Sequence, residues 1–240
     1  SSQAAIVRFF KKLGFAGLKD IKKVLAHELI GSTKENFDNE GYSDIKAGDS
    51  PRDIISKVAE NHIRAIEETV KILDIKAFGR AVEILTRAKR VDLFGFGASG
   101  LVAQDLQQKF LRIGKYCLAC TDVHLQFTAA ASLTADDVAV FISYSGKTKD
   151  IISCLRLVQK QGVPTIAITK YGSAPLAKLA DIVLAVCSPE IMLRSGAMSS
   201  RITQLAVVDM LFTGVAGQNF EKSQELLQSS HDSVAEKKYK

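Results

Sequence analysis

From residue 91 onward, short apolar runs alternate with segments of helix length, and this rhythm restricts the fold more than any other feature of the chain. The runs are Val91–Phe96, Tyr116–Ala119, Val138–Ile142, Thr165–Ile168 and Ile182–Val186. Each has strand length and is nearly continuous in apolar character, the pattern of strands covered on both faces. The intervening segments, about Leu101–Ile113, Val123–Ala131, Lys149–Gln161 and Ala174–Leu179, are expected to be helices. Crossover helices of that kind join parallel strands. A further helix is expected at about Ala197–Gly214. The expected fold class is α/β, a doubly wound five-stranded parallel sheet in an αβα sandwich.

Upstream, Ser50-Pro51 reads as an N-cap followed by a first-turn proline, opening a helix to about Leu73. Its apolar positions Ile55, Ala59, Ile63, Ile66, Val70 and Leu73 keep helical spacing, and a second helix is expected near Ile75–Ala88. The stretch 31–49 has three glycines and few apolar residues, which marks a linker. Before it, Ser2 can cap a short helix to Leu13, ended by Gly14, and a second amphipathic helix spans about Leu18–Leu29. Two such helices cannot close a core by themselves. The expected organisation is a small helical segment at 1–30, the linker at 31–49, the α/β domain with its leading helices at 50–217, and a polar tail at 218–240 that is either helical or frayed.

Charge is distributed unevenly. Residues 1–34 carry seven basic and two acidic side chains, whereas the other 206 residues carry 25 basic and 24 acidic ones. The excess is therefore local, and it fits either a polyanion partner for this segment or a lysine-rich solvated helix face. The most apolar stretch, Leu205–Val215, is interrupted by Asp209 and falls well short of the roughly 20 residues of a membrane span. No signal-peptide pattern opens the chain, and four scattered cysteines make no disulfide framework, so a cytoplasmic location without membrane attachment is expected.

Two strand-to-helix loops carry the residues of a phosphate cradle. Gly95-Phe96-Gly97-Ala98-Ser99-Gly100 follows the first strand and Ser143-Tyr144-Ser145-Gly146-Lys147-Thr148 follows the third. Glycines allow close backbone approach, hydroxyls donate to phosphate oxygens, and a helix N-terminus favours negative charge. Ligands of open α/β sheets bind at this carboxyl edge. A dinucleotide fold is disfavoured because no acidic residue ends the second strand, Asp122 being better placed as a helix cap. A Walker loop is excluded because Ser145-Gly146-Lys147-Thr148 lacks the first glycine at the required spacing.

These loops and the five-strand pattern resemble the SIS (sugar isomerase) domain over about residues 85–215. The resemblance implies that Gly97, Ser99, Ser143, Ser145, Gly146 and Thr148 hold the phosphate of a phosphosugar. The stretch Arg194-Ser195-Gly196-Ala197-Met198-Ser199-Ser200-Arg201-Ile202, with Gln204-Leu205 and Asp209, is similar to the RpiR family of regulators. So is Ser2-Gln3-Ala4-Ala5-Ile6-Val7-Arg8-Phe9-Phe10-Lys11-Lys12-Leu13-Gly14-Phe15 followed by Gly17-Leu18, which resembles the recognition helix and exit turn of the family's helix-turn-helix. Segment 1–30 is then a partial helix-turn-helix, with the earlier helices of the motif expected to be missing. A helix of this type would set Gln3 and Ala4 near base edges and Arg8, Lys11 and Lys12 near phosphates of operator DNA, with Ser2 also among the DNA-binding residues. Ala5 stands where the family commonly has threonine, so one polar DNA contact is expected to be lost.

Other signals carry less. Cys117 and Cys120 have metal-site spacing, but they fall on a strand and no second ligand pair exists, so neither metal nor cofactor is expected. Cys154 and Cys187 read as core residues. His124 lies near the ligand edge, where it either starts a helix or works with Glu190. Glu190 either binds a sugar hydroxyl, caps a turn, or serves with His124 as the acid/base of a phosphosugar isomerase or lyase. Arg194 fits an anionic ligand or a neighbouring subunit. The expected function is a DNA-binding transcriptional regulator, a homodimer or homotetramer, whose SIS-like domain senses a sugar phosphate.

Overall fold

The computed structural model describes residues 48–188 and 197–235. The two expected N-terminal helices, the six candidate DNA contacts Ser2, Gln3, Ala4, Arg8, Lys11 and Lys12, and also Glu190 and Arg194, lie outside the described residues.

Two helices lead into the sheet. α1 (Pro51–Ile72) begins with a capping box, in which Ser50 accepts from the Asp53 N–H and Asp53 accepts from the Ser50 N–H, and with Pro51 in its first turn. α2 (Ile75–Arg87) is capped by Asp74, whose carboxylate accepts from two backbone N–H groups of the first turn. Then follow β1 (Val91–Phe94), α3 (Ala98–Arg112), β2 (Cys117–Ala119), α4 (Val123–Ala131), β3 (Val138–Ile142), α5 (Lys149–Lys160), β4 (Thr165–Lys170), the short α6 (Pro175–Leu179), β5 (Ile182–Val186), α7 (Met198–Gln218) and α8 (Phe220–Ala235). The tail left open by its sequence is thus helical to Ala235, and Ser223 on α8 is buried. No helix among the described residues is long and apolar enough to cross a membrane.

All five strands pair in parallel, in the order β2-β1-β3-β4-β5. One face carries Val91, Leu93, Val140, Ile142, Ile166, Ile168 and Leu184 against α2, α3 and α7. The opposite face carries Phe94, Ala139, Phe141 and Ala167 against α4, α5 and α6. Strand residues one apart therefore belong to different cores, which is why the runs show no polar alternation.

Two departures from the expected boundaries bear on the site. β1 stops at Phe94 rather than Phe96, and α3 starts at Ala98 rather than Leu101. The cause is local: at Gly95 a Cβ would lie 2.7 Å from the Ser99 carbonyl oxygen. Gly97, at φ +55°, turns the chain so that its own carbonyl accepts from the Gly100 and Leu101 N–H groups. Ser99 accordingly sits in the first turn of α3, not in the loop before it.

Candidate functional site

The strand order reverses between β1 and β3, so the loops leaving those two strands open side by side at the carboxyl edge, where ligands of doubly wound sheets bind. Between them lies a cavity of about 90 Å³ lined by Phe96, Ser99, Ile142, Ser143, Tyr144, Ser145, Thr148 and Ile151. The four hydroxyls singled out from the sequence are thereby brought together. That is several times what one water molecule needs, so the space admits a phosphate-sized group. A cavity of about 650 Å³ also exists, lined by Arg80, Gln159 and Asp181, but it lies at the amino edge of the sheet and has no glycine-rich loop at its rim.

Ser143 is buried at the end of β3, Thr148 is half-buried as the N-cap of α5, and their hydroxyl oxygens are 3.4 Å apart. Ser145 is exposed, and its hydroxyl accepts from the Lys147 N–H at 3.3 Å. Gly146 holds the loop closed: at φ +60° its N–H donates to Ser143 O, while its own carbonyl accepts from Leu176 N–H. No room exists for a side chain there, since a Cβ would meet Ala174 Cβ and Thr169 Oγ1, both at 2.7 Å. Gly97 is exposed at the N-cap of α3 and does not line the cavity.

Helix starts at the site lack side-chain caps, as do those of α6 and α7 elsewhere. α1, α2 and α4 are capped by the side chains of Ser50, Asp74 and Asp122, whereas α3 and α5, the two helices that begin at the cavity, have no side-chain cap. Amides at an uncapped N-terminus, together with the helix dipole, complement an anion. Asp122 acts as the cap expected of it, accepting from Leu125 N–H.

Some features could not be read from local sequence. Tyr144 lies between the two serines yet turns inward, its hydroxyl donating to Ser188 O at 3.2 Å. Gln126 of α4, 1% exposed, donates to Gly95 O and Cys120 O and so fixes the β1 loop from one side. Gln204 of α7, also 1% exposed, meets Ser99 from the other. At the amino end of β1, and local in sequence, Arg90 makes a two-pronged ion pair with the buried Asp92 at 2.6 and 2.7 Å. Burial pushes the Asp92 carboxyl above its ordinary range, against the opposing pull of Arg90.

His124 is exposed on α4 and does not line the cavity. Cys117 is buried and Cys120 half-buried, both are free thiols, and the described residues contain no cluster of potential metal ligands. Burial raises the Cys117 thiol far above its ordinary range and pushes Cys154 up to about 12, which keeps both protonated and unreactive. Cys187, read from sequence as core, is only half-buried. Its N–H donates to Thr69 Oγ1 of α1 at 3.0 Å.

Residues 84–214 match the SIS domain. An uncharacterized HTH-type transcriptional regulator of Caldanaerobacter subterraneus is 39% identical over 238 residues, 99% of this chain and 83% of that protein. The HTH-type regulator YbbH of Bacillus subtilis is 39% identical over 222 residues, covering 92% of this chain and 77% of the relative. Among solved structures, Vibrio vulnificus NanR in complex with ManNAc-6P superposes with a TM-score of 0.74 at 26% identity, over 100% of this chain and 83% of that one. The parallel five-stranded fold, the SIS match and relatives of this identity along nearly the whole length place the chain in the RpiR family of SIS-domain, helix-turn-helix transcriptional regulators.

Proposed function

We propose that the SIS domain senses a phosphorylated sugar and thereby modulates operator binding by the segment at residues 1–30, joined to it through a linker at 31–49. The observation that carries this reading is the convergence of Ser99, Ser143, Ser145 and Thr148 on one phosphate-sized cavity beside two uncapped helix starts. Glu190 would meet the sugar, and Gly97 and Gly146 shape the two loops. NanR, similar along the whole chain, was solved with ManNAc-6P, which supports a phosphosugar as the ligand class. Binding alone shifts the equilibrium between DNA-competent and DNA-incompetent arrangements, through differential affinity for the two.

A panel of sugar phosphates, ManNAc-6P included, tests this by thermal shift. A ligand at 100 times its Kd adds about 2.7 kcal/mol, roughly 5–10 °C for a domain of this size. Replacing Ser145 or Thr148 by alanine is expected to weaken the selected ligand by about 1 to 3 kcal/mol per lost charged hydrogen bond, with operator binding retained. An isomerase or lyase is the second reading. It requires Glu190 to move a proton, and His124, its expected partner, is exposed away from the cavity lining. Enzyme-like turnover of the bound sugar phosphate, abolished in Glu190→Ala, would establish catalysis and displace the pure sensor.

The regulator is further proposed to work as a homodimer or homotetramer, with α1 in the contact. Its sequence stripe stays largely uncovered, with Ile55 71%, Ile63 58% and Val70 54% exposed, while the helix turns Ala65 and Thr69 inward. A second copy that buries this stripe would pair two DNA-reading segments for a two-part operator. Sedimentation at micromolar concentration is expected to show a dimer or larger, weakened by Ile55→Lys with Ile63→Lys. A clean wild-type monomer would contradict it.

A further inference from the structure

We infer that Gln204 is a switchable partner of Ser99, a positioning residue whose side-chain amide turns over when an anion in the cavity takes the Ser99 proton. This deepens the proposed function and rests on the cavity being the phosphate site.

Ser99 Oγ donates to Gln204 Oε1 at 3.3 Å, from the first turn of α3 to the second turn of α7. Ser99 lines the cavity and Gln204 does not. The glutamine is 1% exposed, and its buried Nε2 has no hydrogen-bond partner among the described residues. A buried amide nitrogen in that condition is costly, and more unusual than an under-used carbonyl oxygen.

A serine hydroxyl has one proton and two lone pairs, whereas a phosphate oxygen only accepts. To bind the anion, Ser99 must turn its proton from Gln204 Oε1 into the cavity. Oε1 then loses its donor. Rotation of the terminal amide by half a turn restores a hydrogen bond, because Nε2–H now donates to a lone pair of Ser99 Oγ. The same rotation gives the orphaned nitrogen a partner and leaves an oxygen in its place, the less costly of the two unpaired groups. A donor on Ser99 Oγ also polarises its O–H toward the anion. Anion binding and the amide turn therefore favour one another, and the second event takes place inside α7. That helix packs against α1, α2 and α3, with Lys109 of α3 ion-paired to Asp209 further along α7.

The test uses the full chain and inorganic phosphate as the probe. In wild-type protein with labelled glutamine, the Gln204 side-chain amide resonances, assigned by their loss in Gln204→Met, are expected to shift as phosphate saturates. A purely structural glutamine outside the cavity would leave them in place. Calorimetric titration is expected to show Ser99→Ala and Gln204→Met each weakening phosphate by roughly tenfold, about 1.4 kcal/mol. The double variant should be no weaker than Ser99→Ala alone, because Gln204 acts only through that hydroxyl. Gln204→Glu, which as a carboxylate accepts but cannot donate, should weaken phosphate at least as much as Gln204→Met at a pH high enough to ionise it. Additive losses, or unmoved Gln204 resonances at saturation, would overturn the switch. Failure of the underlying site is separately visible: phosphate binding unchanged in Ser145→Ala and Thr148→Ala removes the cavity itself as the anion site.

Discussion

Replacing Arg8, Lys11 and Lys12 together by alanine in the full-length regulator is expected to weaken operator binding by on the order of 10² to 10³-fold at about 0.1 M salt. The magnitude comes from counterion release, in which each neutralised phosphate contributes about 0.9 to the slope of log affinity against log salt concentration. Losing three such contacts lowers the slope by about 2.7. The charge distribution justifies assigning the loss to this segment, since residues 1–34 hold seven basic and two acidic side chains while the remaining 206 are almost balanced. Gln3→Ala should behave differently. A residue reading a base edge changes discrimination between operator sequences by about 1–3 kcal/mol and leaves the salt slope alone. Gel-shift titrations at several salt concentrations separate the two effects. An unchanged slope in the triple variant would take these three residues out of the DNA interface.

The two regions differ in how far the sequence alone resolves them. The sheet was legible because each strand is buried on both faces, so its apolar run stands out against the amphipathic helices around it. The phosphate loops were legible because glycine and hydroxyl residues cluster there within six positions of one another. Boundaries were less so. Ala98-Ser99-Gly100 has the composition of a turn, yet it forms the start of α3 once Gly97 has reversed the chain. β4 runs on to Lys170, beyond the expected end at Ile168, because Lys170 still pairs in register with Val186 of β5. Gln126 carried no local signal, and Gln204 stood out only within the stretch that resembles the family, with no role attached to it. A single glutamine in a helix reads as a polar surface residue, and only the meeting of distant segments buries both beside the Gly95–Ser99 loop. The Arg90–Asp92 pair is different: residues two apart on a strand share a face, so the charge within the apolar run has its match beside it in the sequence.

Gly146→Val is expected to be the most disruptive single change in the sensor domain, with a loss of about 2–6 kcal/mol in stability and of measurable phosphosugar binding. Two costs combine. The residue has φ +60°, a conformation that a β-branched side chain tolerates poorly. In addition, the new Cβ would be placed 2.7 Å from both Ala174 Cβ and Thr169 Oγ1 and 3.3 Å from Leu176 Cβ, atoms held by the start of α6 and the end of β4. Relief requires the Ser143–Thr148 loop to move away from α6, which breaks the bond from Leu176 N–H to Gly146 O. Since Ser143, Ser145 and Thr148 all belong to this loop, the cavity is lost with it. Gly162→Ala is the control. Gly162 also has a positive φ, of +73°, but nothing lies within 4 Å of its Cβ position, so it incurs backbone strain of about 1–2 kcal/mol alone. For a domain of this size each kcal/mol lowers Tm by about 2–4 °C. Thermal melts should therefore place Gly146→Val about 5–20 °C below wild type and Gly162→Ala only a few degrees below, with its ligand binding intact. Equal losses in the two variants would mean that strain, not the packing of the loop against α6, sets the cost at Gly146.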